Sequence, residues 1–205
     1  MAGLCTLANL KLVLFPTSYT DATDDAVLQL YIDALTDEIQ EYTCRMFVGD
    51  AALTDYYYDI PRTTTQLYVP EGINTLNTVG YATTTQPASG GTYTTITATN
   101  YFLRPLPQDR RVDFPADTIV ITPTDAVDQF YPGYNTVKIN AKLGFAAVPA
   151  AIERIAIAII TRRWQARRGG QADGIGTSDF GGPLLRFTSA EEMRVLDRYV
   201  DPGIG

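Results

Sequence analysis

Arg162, Arg163, Arg167 and Arg168 surround Trp164, the only tryptophan of the chain. Guanidinium groups can hold phosphates while an indole stacks on a base, so a nucleic-acid-binding module could use this cluster. On a helix the same residues have a plainer use, because cations suit the negative C-terminal end of the helix dipole. Other chemistry finds little to work with. There is no histidine, which removes Ser-His-Asp and Cys-His catalysis and most zinc and iron ligand sets. Cys5 and Cys44 are far apart and in no metal-like spacing; they fit a reduced intracellular protein and leave a single disulfide open. Carboxylate pairs such as Asp24–Asp25 or Asp109–Asp113 could in principle serve glycoside hydrolysis, but nothing sets them across a cleft. No glycine-rich phosphate loop occurs. The expectation is a protein that is not an enzyme and carries no cofactor or metal.

Charge narrows the choice. The net charge of −7 argues against a general nucleic-acid binder, which needs a positive surface. Its distribution is uneven: the balance is −8 over residues 1–60, zero over 61–150 and +1 over 151–205. An acidic front and an arginine-bearing back can attract each other between neighbouring copies. The basic residues are three lysines and thirteen arginines, and arginine is the better residue for ordered interfaces. The start of the chain lacks a basic leader, with Lys11 inside its apolar run. Residues 150–160 contain Glu153 and Arg154 and are too short to span a membrane. The expectation is a soluble, unexported chain.

Periodicity supplies the elements. Thr6 can cap a short helix, Leu7 to Leu14, stopped by Pro16. Leu28, Ile32, Leu35, Ile39 and Tyr42 make one apolar stripe, predicting a helix over 24–47 with Thr23 as N-cap. Gln29, Asp33, Asp37 and Glu41 fall on its polar face. From 56 to 145 the pattern is one of strands: 56–60, 66–69, 73–79, 92–98, 101–103, 118–122 and 136–145, with "QPASGG" as a hairpin loop. Residues 63–103 hold thirteen threonines and one charge, Glu71. Pro149 and Gly169–Gly170 bracket a second long helix. Its isoleucines point nearly all round, leaving one polar lane of Arg154, Ala158, Thr161, Gln165 and Arg168. A helix this apolar must be covered on most sides, by its own core or by another subunit. After a glycine-rich link, Ser189 and Glu192 form a capping box for a short C-terminal helix.

The order of these elements resembles a known family. "TLANLKLVL…DATDDAVLQLYIDALTDEIQEYTCRMF" is similar to the opening of phage head–tail connector adaptors, the head completion proteins. There, a short helix and loop lead to an acidic pair and a long helix that ends in a Tyr-Thr-x-Arg-x-Phe-like phrase, here Tyr42, Thr43, Cys44, Arg45, Met46 and Phe47. Cys44 stands where the family usually has glycine. "VKINAKLGFAAVPAAIERIAIAIITRRWQARRGG" resembles the family's strand, Gly-aromatic turn, Pro and second long helix, with Gly144–Phe145 at the turn. The likeness covers about half the chain.

The resemblance implies an α+β fold: two long core helices plus a short C-terminal helix, with a β-rich insertion between the long helices. The corresponding domains are a helical adaptor core (1–55 and 131–170), the β-rich insertion (56–130), and a flexible link with a C-terminal docking helix (171–205). It implies a structural virion protein at the head–tail junction, assembled in the host cytoplasm. Its copies would form a homo-oligomeric, dodecameric ring beneath the portal protein, bind a stopper or tail-terminator protein, and let DNA pass without specific binding, with no membrane partner. By position, Leu184, Leu185, Phe187, Met193, Leu196 and Tyr199 are the portal-contact candidates. Asp33, Asp37, Glu41, Arg162, Arg163, Arg167 and Arg168 are the inter-subunit candidates. The alternatives are the arginine cluster as a nucleic-acid module, or a β-rich tail or surface protein binding through residues such as Tyr81, Tyr93 and Tyr101.

Overall fold

Helical repeats at the two ends of the chain and alternation in its middle divide the backbone between helix and sheet. The computed structural model describes residues 3–15, 22–86, 91–105, 114–123, 128–168 and 189–200, without the Arg168 side chain. The chain forms two compact units, Met1–Cys44 with Val148–Gly205, and Arg45–Ala147.

The first unit is helical. α1 (Leu7–Leu14) starts where Thr6 Oγ1 accepts the Asn9 N–H at 3.1 Å. α2 (Asp25–Thr43) buries Leu28, Ile32, Leu35 and Ile39 as one stripe. Its N-cap is Asp24, with no side-chain cap bond, in place of the expected Thr23. It stops at Thr43, four residues short of the expected end, because Cys44 turns left-handed at φ 52°. α3 (Ala150–Arg168) opens with the Pro149 carbonyl accepting the N–H groups of Ile152 and Glu153. α4 (Ala190–Leu196) has both halves of the Ser189–Glu192 capping box.

The second unit is an antiparallel sheet of six strands: β1 (Thr54–Ile60), β2 (Gln66–Tyr81), β3 (Thr94–Ile96), β4 (Tyr101–Arg104), β5 (Ala116–Ile121) and β6 (Gly133–Leu143). The order is β1-β6-β2-β5-β4, with β3 pairing β2. β6 is flanked on both sides, and its alternation sets the register. Val137, Ile139, Ala141 and Leu143 are buried, and Lys138, Asn140 and Lys142 are not. A one-residue slip would drive both lysines inward. β2 runs straight through the Pro70–Gly72 break expected between two strands, its pairing shifting register between Tyr68 and Ile73.

This arrangement overturns the expected architecture of two long core helices bearing a β-rich insertion. The helices are short: α2 and α3 have 19 residues each, about 28 Å at 1.5 Å per residue. The sheet is large and has its own core, in which Val69, Ile119, Phe130, Val137 and Ile139 are fully buried. Each such aliphatic side chain contributes about 1.5–3 kcal/mol relative to exposure. Helical periodicity is easy to see locally, whereas the weight of a sheet comes from strands distant in sequence.

Candidate functional site

α3 is the helix whose composition raised the question of partners. Ile152, Ile155, Ile159, Ile160 and Trp164 are buried on one side. Ile157 and Ala158 are left half-exposed on the other. There α1 and α3 border a groove of about 730 Å³. Leu12 and Val13 of α1 stand on its edge, 73% and 56% exposed. Glu153 and Arg154 supply charge along its length. Glu153 is held in place, its Oε1 accepting from Asn9 Nδ2 at 2.8 Å. The exposed Arg154 has no ion-pair partner among the described residues. A smaller cleft of about 200 Å³ on the next face of α3 is closed by Ser189, Glu192 and Val195 at α4.

The arginine cluster is mostly engaged within the helical unit. Arg162 Nη2 donates to Glu192 Oε2 at 2.7 Å. Arg163 grips Glu38 with both terminal nitrogens, at 3.1 and 2.6 Å. Arg167 is exposed and lies 6.0 Å from the Trp164 ring centre. The Arg168 side chain lies outside the described residues. Burial pushes the Glu192 carboxyl up, but Arg162 and the Ser189 backbone and hydroxyl outweigh it and hold it below the ordinary carboxylate range.

The acidic candidates lie on α2. Asp33 accepts from Gln29 Nε2 at 2.8 Å. Asp37 and Glu41 are exposed, and neither side chain has a partner among the described residues. Sequence reasoning took this face of α2 as polar, with Gln29, Asp33, Asp37 and Glu41. It missed that Leu30, 66% exposed, shares the outer side of α2 with these acids. The four-residue spacing of Ala26, Leu30 and Ala34 was the available signal.

Of the portal-contact candidates, Leu184, Leu185 and Phe187 lie outside the described residues. Met193 and Tyr199 are half-buried, and Leu196 is 3% exposed. α4 is tied to α3 through Arg162–Glu192 and to the end of α2 through Tyr42, whose hydroxyl donates to Asp197 Oδ1 at 2.5 Å. That bond to a carboxylate raises the Tyr42 pKa.

In the sheet unit, the tyrosines considered for ligand stacking make contacts of their own. Tyr81 stacks with Tyr131 at 6.2 Å, and Tyr93 packs on Tyr57 at 6.0 Å while donating to the Asn135 carbonyl. Tyr101 is half-buried, and burial raises its pKa. Tyr56 donates to Asp50 Oδ2, which also accepts the Leu143 N–H at 2.8 Å; burial and this carboxylate push the phenol up to about 12. Such a phenol stays neutral and acts as a structural donor. Among the described residues no group of His, Cys, Asp and Glu could hold a metal, and no helix is long and apolar enough to cross a membrane. The groove beside α3 is thus a surface of the helical unit suited to contact.

The sequence matches no known family pattern. It matches no curated protein either. Its fold is similar to that of chains in solved particles. One belongs to the neck of an empty gene transfer agent particle computed with C6 symmetry, at TM-score 0.59 and 17% identity over 96% of this chain and 89% of that one. Another belongs to the virion of a native gene transfer agent particle, at TM-score 0.58 and 17% identity over the same shares. A third belongs to the neck of the native particle computed with C12 symmetry, at TM-score 0.53 and 16% identity over 94% of this chain and 86% of that one.

Proposed function

We propose that this chain is a structural, non-enzymatic virion protein of the neck of a phage-like particle. Its role is that of a head-to-tail adaptor: copies form a ring beneath the portal, extend the DNA channel and receive a stopper or tail-terminator protein. Assembly takes place in the host cytoplasm. The observation that carries this reading is the likeness of fold, over 96% of the chain, to chains of gene transfer agent necks. Fold alone does not assign function, so physical features add their weight. The exposed acids Asp37 and Glu41 of α2 and the exposed Arg154 of α3 suit contacts between neighbouring copies, and a closed ring needs two different surfaces on each copy. A net charge of −7 suits a channel through which DNA slides without sticking. The internal pairing of Arg162 and Arg163 weighs against the nucleic-acid reading, since both would have to leave carboxylates to reach phosphate.

The test is a pull-down with the portal of the same particle, imaged end-on by electron microscopy. Added density as a symmetric collar on the outer end of the portal is the expected result. A protein that neither binds the portal nor adds density to it would overturn the proposal.

A further inference from the structure

The groove between α1 and α3 is an apolar surface with one unpartnered positive charge. Leu12, Val13, Ile157 and Ala158 supply the apolar lining; of the charged residues on it, Glu153 is bonded to Asn9 and Arg162 to Glu192, which leaves Arg154. Leu12 and Val13 are more than half exposed, a poor arrangement for neighbouring aliphatic residues on a chain that stays alone. The matching surface is on the same unit. At 100° per residue, Ala26, Leu30, Ala34, Asp37 and Glu41 line up on the side of α2 opposite its buried stripe. All five are exposed. Along this lane an apolar stretch centred on Leu30 passes into two carboxylates without a partner among the described residues.

The groove offers an apolar channel and a free guanidinium. The lane offers a small-residue ridge with one leucine knob and free carboxylates. Helix-in-groove recognition uses anchors at this kind of i, i+4, i+7 spacing. The two surfaces are different, and the groove's lining residues come from α1 and α3, not from α2. A contact between them is therefore heterologous, the kind that repeats from copy to copy and makes a ring where its rotation closes. We infer that the α1–α3 groove of one copy receives the outer lane of α2 from the next copy. Leu30 seats against Leu12, Val13 and Ile157, and Asp37 and Glu41 face Arg154. This deepens the neck reading, from which it takes the expectation of a ring, by naming the two surfaces that meet.

Cysteine cross-linking tests it on the full chain. Cys5 is buried and its thiol is pushed up to about 11, by burial and then by Glu153, so only the exposed Cys44 has to be replaced, by glycine. Leu12→Cys and Leu30→Cys are then placed in separate chains of different size and mixed under mild oxidation. The mixed dimer is expected in about tenfold excess over either same-variant dimer, against the twofold excess of chance pairing, a preference of about fivefold worth about 1 kcal/mol. A chain carrying both substitutions is expected to give a ladder of covalent oligomers. Arg154→Glu in the groove chain lowers the mixed dimer about tenfold, and Asp37→Arg with Glu41→Arg in the lane chain restores it. Dimers in statistical proportion, or no dimer, overturn the inference. The portal experiment separates the two readings. A collar on the portal without this cross-link overturns the interface and leaves the neck role standing. The cross-link without a collar supports the interface and removes the neck role.

Discussion

Gly144 shows how one residue can hold a turn. It lies at φ +85°, and a Cβ there would meet the Met46 carbonyl oxygen at 2.7 Å and Gly49 Cα at 2.8 Å. Both neighbours are backbone and cannot rotate away. Gly144→Ala is therefore expected to destabilise the protein by about 2 kcal/mol or more, as left-handed strain and overlap add; chemical denaturation measures it. Arg163 and Glu38 bear on the surface instead. Their side chains are 18% and 53% exposed, so Arg163→Ala is expected to cost only about 0.5–1 kcal/mol, and a loss of several would mean the pair is far less solvated than its exposure indicates. Glu192 provides a pH dependence. Its folded pKa is depressed from the ordinary 4.5, so its contribution is present above that value and is lost as pH falls through the lower folded value. Amide protection in α4, taken relative to the intrinsic exchange rate at each pH, should fall across that acidic window. In Glu192→Gln the fall should be absent, with α4 already loosened at neutral pH.

At the scale of elements, the end of α2 is decided by one backbone angle. Cys44 takes the left-handed conformation that glycine adopts without strain, at the position where the resembled family has glycine. Cys44→Gly is expected to stabilise the protein by about 0.5–1 kcal/mol, raising the thermal midpoint by about 2–4 °C; a lower midpoint would mean that the Cys44 side chain matters more than its backbone strain. α4 is a second element whose position is specific. A capping box makes it a helix, and two polar ties, to Arg162 and Tyr42, give it a place. On the proposed adaptor reading, truncation before Leu184 is expected to leave a folded domain that no longer joins the portal, and a truncated chain that still builds a collar would show that the anchor lies elsewhere.

The whole molecule is two units, and the ends of the sheet unit meet: the Phe145 N–H donates to the Met46 carbonyl at 3.0 Å. Phe47, Phe114 and Phe145 pack near these ends, with ring centres 5.1 and 5.6 Å apart for the two contacts with Phe145. A unit with its own core and adjoining ends should fold alone. The fragment Arg45–Ala147 is expected to show antiparallel-sheet circular dichroism and one cooperative thermal transition; a fragment without cooperative unfolding would show that its stability depends on the helical unit.

Local physics made much of this legible from residues alone. Thr6 and Ser189 announced helix starts because a hydroxyl that satisfies a free N–H works within three residues of itself. The alternation in β6 announced a half-buried strand because successive side chains must face opposite ways. The lack of histidine leaves no Ser-His-Asp or Cys-His arrangement to consider, whatever the fold. Three things waited for the tertiary structure. The sheet is a large unit with its own core, and not an insertion borne by two long helices, because that core joins strands from Ile60 to Leu143 that no local window contains. Arg162 and Arg163 of the arginine cluster are neutralised, because Glu192 and Glu38 reach them from 30 and 125 residues away. The side of α3 left open, with Leu12 and Val13 beside it, depends on which faces the other helices cover. Periodicity states that a face is apolar; only packing decides what is left to cover it.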